Sequence, residues 1–110
     1  MPTVPLKDSL KAMVERKLEL ATEMLEDAIN ALLAGDVDEG RLLFRQYINA
    51  TIGFQELARR TGKADKTLMQ MLSASGNPTV SNLFEIIHVC TKAEGVTISA
   101  HVVAQQHVPS

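Results

Sequence analysis

A mainly α-helical bundle of about five helices, with a long N-terminal helix and one C-terminal β-strand, is the fold class this chain predicts. Three observations carry that expectation. Apolar residues recur three and four positions apart over most of the 110 residues, the repeat of a helix with one buried face. Gly35, Gly53, Gly62 and Gly95 each close such a stretch, and a two-residue alternation begins only after the last of them. The 45% apolar content includes only four aromatic residues, Phe44, Tyr47, Phe54 and Phe84, so the core must be aliphatic. A chain this size holds one such core, and residues 1–110 read as a single domain.

The first helix is expected over 8–34, capped by Asp8 or Ser9 and stopped by Gly35 and Asp36. Val14, Leu18, Ala21, Leu25, Ala28 and Leu32 draw an apolar stripe down one side, widened by Leu10, Met13, Leu20, Met24 and Ala31 and interrupted by Lys17 and Asp27. So wide a stripe predicts packing onto the rest of the domain, with some surface left for a partner. Asp38 is the expected cap of a second helix over 38–52, which contains Leu42, Leu43, Tyr47 and Ile48.

The segment 54–73 is read as two short helices around a turn. Leu57 and Ala58 precede Gly62, which suits the left-handed residue after a helix ending at Thr61. Asp65 then caps a helix with Leu68, Met71 and Leu72 inward, its carboxylate expected on amides near Leu68. Lys66, Thr67, Met69 and Gln70 are left on the outer face. Thr79 or Ser81 caps the next helix, over 80–93, where Leu83, Phe84, Ile86, Ile87 and Cys90 form a nearly continuous apolar surface. Past Gly95, Val96, Ile98, Ala100 and Val102 alternate with Thr97, Ser99, His101 and Val103, which predicts a strand over 96–103. A lone strand needs a partner for its backbone, and a second copy across a two-fold axis is the simplest one. The tail, 104–110, is expected to be flexible.

Two helices joined by a short glycine-containing turn form the frame in which a second helix enters the DNA major groove, where Gln and Thr side chains bond base edges. The same frame also connects packed helices with no DNA role. The stretch LARRTGKADKTLMQMLSASGNPTVSNLFEIIHVC resembles the helix-turn-helix of the phage-repressor (Xre/Cro-like) superfamily, most closely the addiction-module antidote proteins, the HigA-type antitoxins. Leu57, Ala58, Gly62, Leu68, Leu72, Gly76, Asn77, Pro78, Leu83 and Ile86 match that pattern in order. The resemblance runs from about Ala21 to Val103 and is most specific at Gly76-Asn77-Pro78. It departs at Lys63 and Ala64, where the family usually has an apolar residue and then a serine or threonine cap.

The resemblance implies a phage-repressor-like helix-turn-helix bundle acting as a sequence-specific transcriptional regulator: a dimeric antitoxin that represses its own operon at a palindromic operator. It also implies a cognate toxin, and ribonuclease toxins of that kind are usually basic, so the acidic Glu15, Glu19, Glu23, Glu26 and Asp27 are either a docking face or a solvated helix face. Gln55 matches a residue that bonds phosphate in this superfamily. Lys63, Lys66, Thr67, Gln70, Asn77 and Thr79 complete the expected DNA contacts, with Lys66, Thr67 and Gln70 facing the groove. Asn77 also reads simply as a loop former before Pro78.

Net charge is −2, low for a nucleic-acid binder, but its distribution is uneven. Residues 1–40 hold four basic and nine acidic residues, whereas residues 41–80 hold six basic and two acidic, so any DNA contact belongs to the middle of the chain. Arg41 and Arg45 read equally well as solvated faces. The alternative function is a protein-interaction module that keeps a degenerate helix-turn-helix as scaffold and binds no operator.

No apolar run reaches the roughly 20 residues that cross a bilayer, and no signal peptide is apparent, so a cytoplasmic protein is expected. Cys90, the single cysteine, lies in an apolar run and reads as a buried thiol. His88, Cys90, His101 and His107 lack metal-ligand spacing, and no nucleophile or phosphate-loop motif is present. Neither an enzyme nor a cofactor is expected.

Overall fold

The computed structural model describes residues 6–105, with side chains from Ser9 onward. Its elements are α1 (Leu6–Leu33), α2 (Val37–Ala50), α3 (Phe54–Thr61), α4 (Asp65–Met71) and α5 (Val80–Glu94). The chain is thus mainly helical, as its periodicity requires, and no strand occurs among the described residues.

Helix α1 begins two residues earlier than expected, so Asp8 and Ser9 stand in its first turn instead of capping it. It closes at Gly35, with the Asp36 amide donating to the Ala31 carbonyl at 2.9 Å. The chain reverses there, and α1 and α2 make the most extensive helix–helix contact in the molecule. Gly40 permits it, because a side chain at that point of α2 would run into Leu32 of α1. The N-cap of α2 is Asp36, not Asp38. Asp38, one residue inside the helix, pairs instead with Arg41 a turn later.

The core joins Leu25 and Ala28 of α1, Phe44, Tyr47 and Ile48 of α2, Phe54 and Leu57 of α3, Leu68 of α4, Leu72 after it, and Ile86 and Cys90 of α5. The Phe44 and Tyr47 rings, 5.7 Å apart and tilted by 52°, are the aromatic part of an otherwise aliphatic interior. Helix α1 enters this core only from Ala21 onward, and every described side chain from Ser9 to Leu20 is exposed. Length explains the division. Twenty-eight residues make a helix of about 42 Å, whereas the 14 residues of α2 run about 21 Å and cover half of it.

The strand expected over 96–103 is not formed. Val96 is spent on closing α5, its amide donating to the Thr91 carbonyl at 3.0 Å, and its side chain packs on the core. From Thr97 to Gln105 the chain is irregular and exposed, with Val102 97% accessible. The physical reason is the need for a ladder: alternation gives a strand two faces, but among the described residues no other segment offers it an edge. Of the expected tail, Ala104 and Gln105 are irregular, and 106–110 lie outside the described residues.

Candidate functional site

The seven residues singled out for nucleic-acid contact lie on α3, on the turn after it, on α4, and on the loop into α5. Leu57 and Leu68, both fully buried, hold α3 and α4 against one core. Between them Gly62 adopts the left-handed conformation (φ 74°) and donates its amide to the Ala58 carbonyl at 2.9 Å. A Cβ-bearing residue is strained in that conformation, so the sharp turn depends on this glycine. Thr61 Oγ1 then accepts from the Lys63 amide at 3.3 Å and donates to the Leu57 carbonyl at 2.9 Å, fixing the path onward.

The cap of α4 differs from expectation. Ala64 occupies the N-cap position, with extended backbone and no side chain able to accept. Asp65 is the first helical residue, and its Oδ1 accepts from the next amide, that of Lys66, at 2.7 Å. The Leu68 amide instead donates to the Ala64 carbonyl at 3.1 Å. Asp65 cannot cap from inside the helix, because a capping side chain must stand one residue before the first turn to reach back over it.

Lys66, Thr67 and Gln70 stand exposed on α4, opposite buried Leu68, with Met69 beside them. Gln55 is exposed in the first turn of α3, and Asn77 is exposed in the loop. Thr79 caps α5 as expected, its Oγ1 accepting from the Asn82 amide at 3.1 Å. Lys63 is half-buried, its Nζ 3.5 Å from Glu85 Oε2. Gly76 draws the loop tightly over the end of α4, where a Cβ would collide with the carbonyl oxygens of Gln70 and Met71.

Much of the basic charge of the middle segment is already engaged. Arg59 and Arg60 both bond Glu56, whose carboxyl the two guanidinium groups hold down at about 2. Arg41 is buried and does not form a solvated face. Its guanidinium bonds Asp38 and the Ala74 carbonyl (3.2 Å), tying α2 to the loop after α4. Among the described residues, Arg45 and Lys66 are exposed and outside these pairs.

A cavity of about 400 Å³ lies between α2, α3 and α5, lined among others by Tyr47, Glu56, Arg60, Cys90 and Glu94. The Tyr47 hydroxyl donates to Glu94 Oε1, and burial raises the Glu94 carboxyl above its ordinary range. Burial also pushes the Cys90 thiol up to about 12, as expected of a packing residue. The one sequence signal for the Tyr47–Glu94 pair is that the hydroxyl of a core tyrosine needs an acceptor. Its identity comes from an element 47 residues away.

Among the described residues no three His, Cys, Asp or Glu side chains converge as a metal site, and no helix is long and apolar enough to cross a membrane. No family model, curated protein or solved structure matches this chain.

Proposed function

We propose that the chain is a dimeric helix-turn-helix regulator that binds DNA, with α3 and α4 as the motif and α4 as the helix entering the major groove. One observation carries this reading: buried Leu68 turns Lys66, Thr67 and Gln70 outward together on a helix anchored through a left-handed glycine turn. Lys66 and exposed Arg45 supply charge for phosphate, and Gln70 and Thr67 supply groups that read base edges. Gln55 and Asn77 contact phosphate on either side. Thr79, whose Oγ accepts within its own cap, keeps its hydroxyl proton to donate.

The resemblance to HigA-type antitoxins extends the reading to an autorepressor on a palindromic operator, paired with a basic toxin. Glu19, Glu23, Glu26 and Asp27, all exposed on α1, form the acidic surface for that toxin. A second reading, a protein-interaction module without operator binding, is favoured by the ion pairs: Arg59 and Arg60 with Glu56, and Lys63 with Glu85, compete with phosphate for the same cations.

A gel-shift titration on the DNA upstream of the chain's own reading frame decides between them. Binding is expected at low salt, falling steeply as salt rises. Lys66→Ala combined with Gln70→Ala should weaken it by at least about tenfold. No shift at low salt, or a shift indifferent to that double substitution, leaves the interaction module standing.

A further inference from the structure

We propose that the uncovered N-terminal half of α1 is a dimer surface, on which the same half of a second copy lies antiparallel across a two-fold axis near Val14. This deepens the dimeric reading above and rests on its two-copy premise, not on DNA. The surface is an unfinished piece of the core. Ala21, Met24, Leu25 and Ala28 pack inside the molecule, and the same stripe continues through Leu18, Val14 and Leu10, which are 47%, 67% and 52% exposed. Met13 widens it.

Geometry selects the occupant and its direction. From Ala21 onward the space facing the stripe is filled by α2, so a parallel copy would drive its own α2 into the place where this one sits. An antiparallel copy avoids that collision. With the axis at Val14, the start of the partner helix comes level with residue 22, within one residue of Ala21, where the cover by α2 begins. The incoming helix therefore continues the line of α2, and the matched exposed segments, Ser9 to Leu20, run about 18 Å each.

The stripe is also complementary to itself when reversed. Leu10 comes level with the partner's Leu18, and Val14 meets the partner's Val14. Lys11 and Glu15 lie four apart on one flank, and in an antiparallel pair like flank faces like flank. Lys11 of each copy then stands within about 3 Å, along the axis, of the partner's Glu15, which gives two reciprocal ion pairs. Lys17 lies on the other edge, where its long stem reaches solvent.

Sedimentation equilibrium of the full chain without DNA tests the proposal. A dimer is expected at tens of micromolar. Val14→Asp, an exposed position, should leave the helical circular dichroism intact and weaken the dimer by about a hundredfold or more, since it sets two carboxylates together on the axis. Lys11→Glu should weaken it severalfold, and adding Glu15→Lys should restore it. A monomeric wild-type chain overturns the proposal. So does a dimer that Val14→Asp leaves unchanged, which would put the contact elsewhere, the exposed segment after Val96 included. A dimer that shifts no DNA overturns the regulator reading and supports this one.

Discussion

Helix α1 and the α3–turn–α4 unit spend their apolar residues in opposite ways. Helix α1 has the longer and more regular apolar stripe, yet among its described side chains, from Ser9 onward, only Leu25 and Ala28 are buried. Helices α3 and α4 have 15 residues between them and bury Phe54, Leu57 and Leu68, with Leu72 just beyond. Periodicity states which face of a helix is apolar. It does not state how much of that face is covered, which depends on the length of whatever lies against it. The short helices are held by the core and by their turns, because helices of seven and eight residues are too short to persist alone in water.

The largest expected effect follows from that contrast. Leu57→Ala should cost about 2–5 kcal/mol of unfolding free energy, because the fully buried side chain leaves a cavity between the helices. Val14→Ala, at an exposed point of the longer stripe, should change the stability of an isolated chain by less than about 0.5 kcal/mol. Urea melts at low protein concentration measure both. Comparable costs at the two sites would mean that α1 is covered even in the single chain.

What the sequence made legible in these regions has physical causes. Gly62 and Thr79 were readable because a left-handed residue and a helix cap are local requirements, met within three or four residues. Leu68 and Leu72 were readable because spacing defines a face, and Cys90 because it lies in an apolar run. Contacts set by distant parts of the chain left no such mark. The burial of Arg41 follows from the Ala74 carbonyl, 33 residues away, and Glu94 is found by Tyr47 across the core. The segment after Val96 alternates as a strand does, but pairing depends on a neighbour that alternation cannot announce. Among the site residues, the outward positions of Lys66, Thr67 and Gln70 agree with expectation, while the engagement of Lys63 by Glu85 was not legible.

The displaced cap gives a smaller, stabilising test. Ala64 and Thr79 have nearly the same backbone, φ −66° and ψ 143° against φ −66° and ψ 159°, and both precede a helix. Only Thr79 has a side chain that accepts an amide there. Ala64→Ser should therefore bond the Thr67 amide as Thr79 bonds that of Asn82, and raise stability by about 1 kcal/mol. For a domain of this size, that is roughly 4–8 °C in Tm. If Asp65 were the cap, the serine would add nothing and Asp65→Ala would carry the cost instead.

The smallest expected effect separates two carboxylates of the packed region by the sign of their pH dependence. Glu56, half-exposed on α3, is held down at about 2 by hydrogen bonds from Arg59 and then Arg60. Its contribution is present above the ordinary glutamate range and is lost as pH falls toward 2, and salt screens it because the group faces solvent. Glu94 behaves in the opposite way. Burial raises its carboxyl, so the folded chain holds the proton more tightly than the unfolded chain does. Stability from Glu94 is therefore greatest below the unfolded glutamate value and declines as pH rises through the folded one. Glu94→Gln keeps an acceptor for the Tyr47 hydroxyl and removes the buried charge. It should raise the urea midpoint at pH 7.5 and leave it unchanged near pH 3.5, where the wild-type carboxyl is already neutral. The acid-side loss belonging to Glu56 should persist in the variant and shrink at high salt. An equal gain at both pH values would assign the effect to packing around the cavity, and a loss at pH 7.5 would mean that the Glu94 carboxylate is stabilised in the fold.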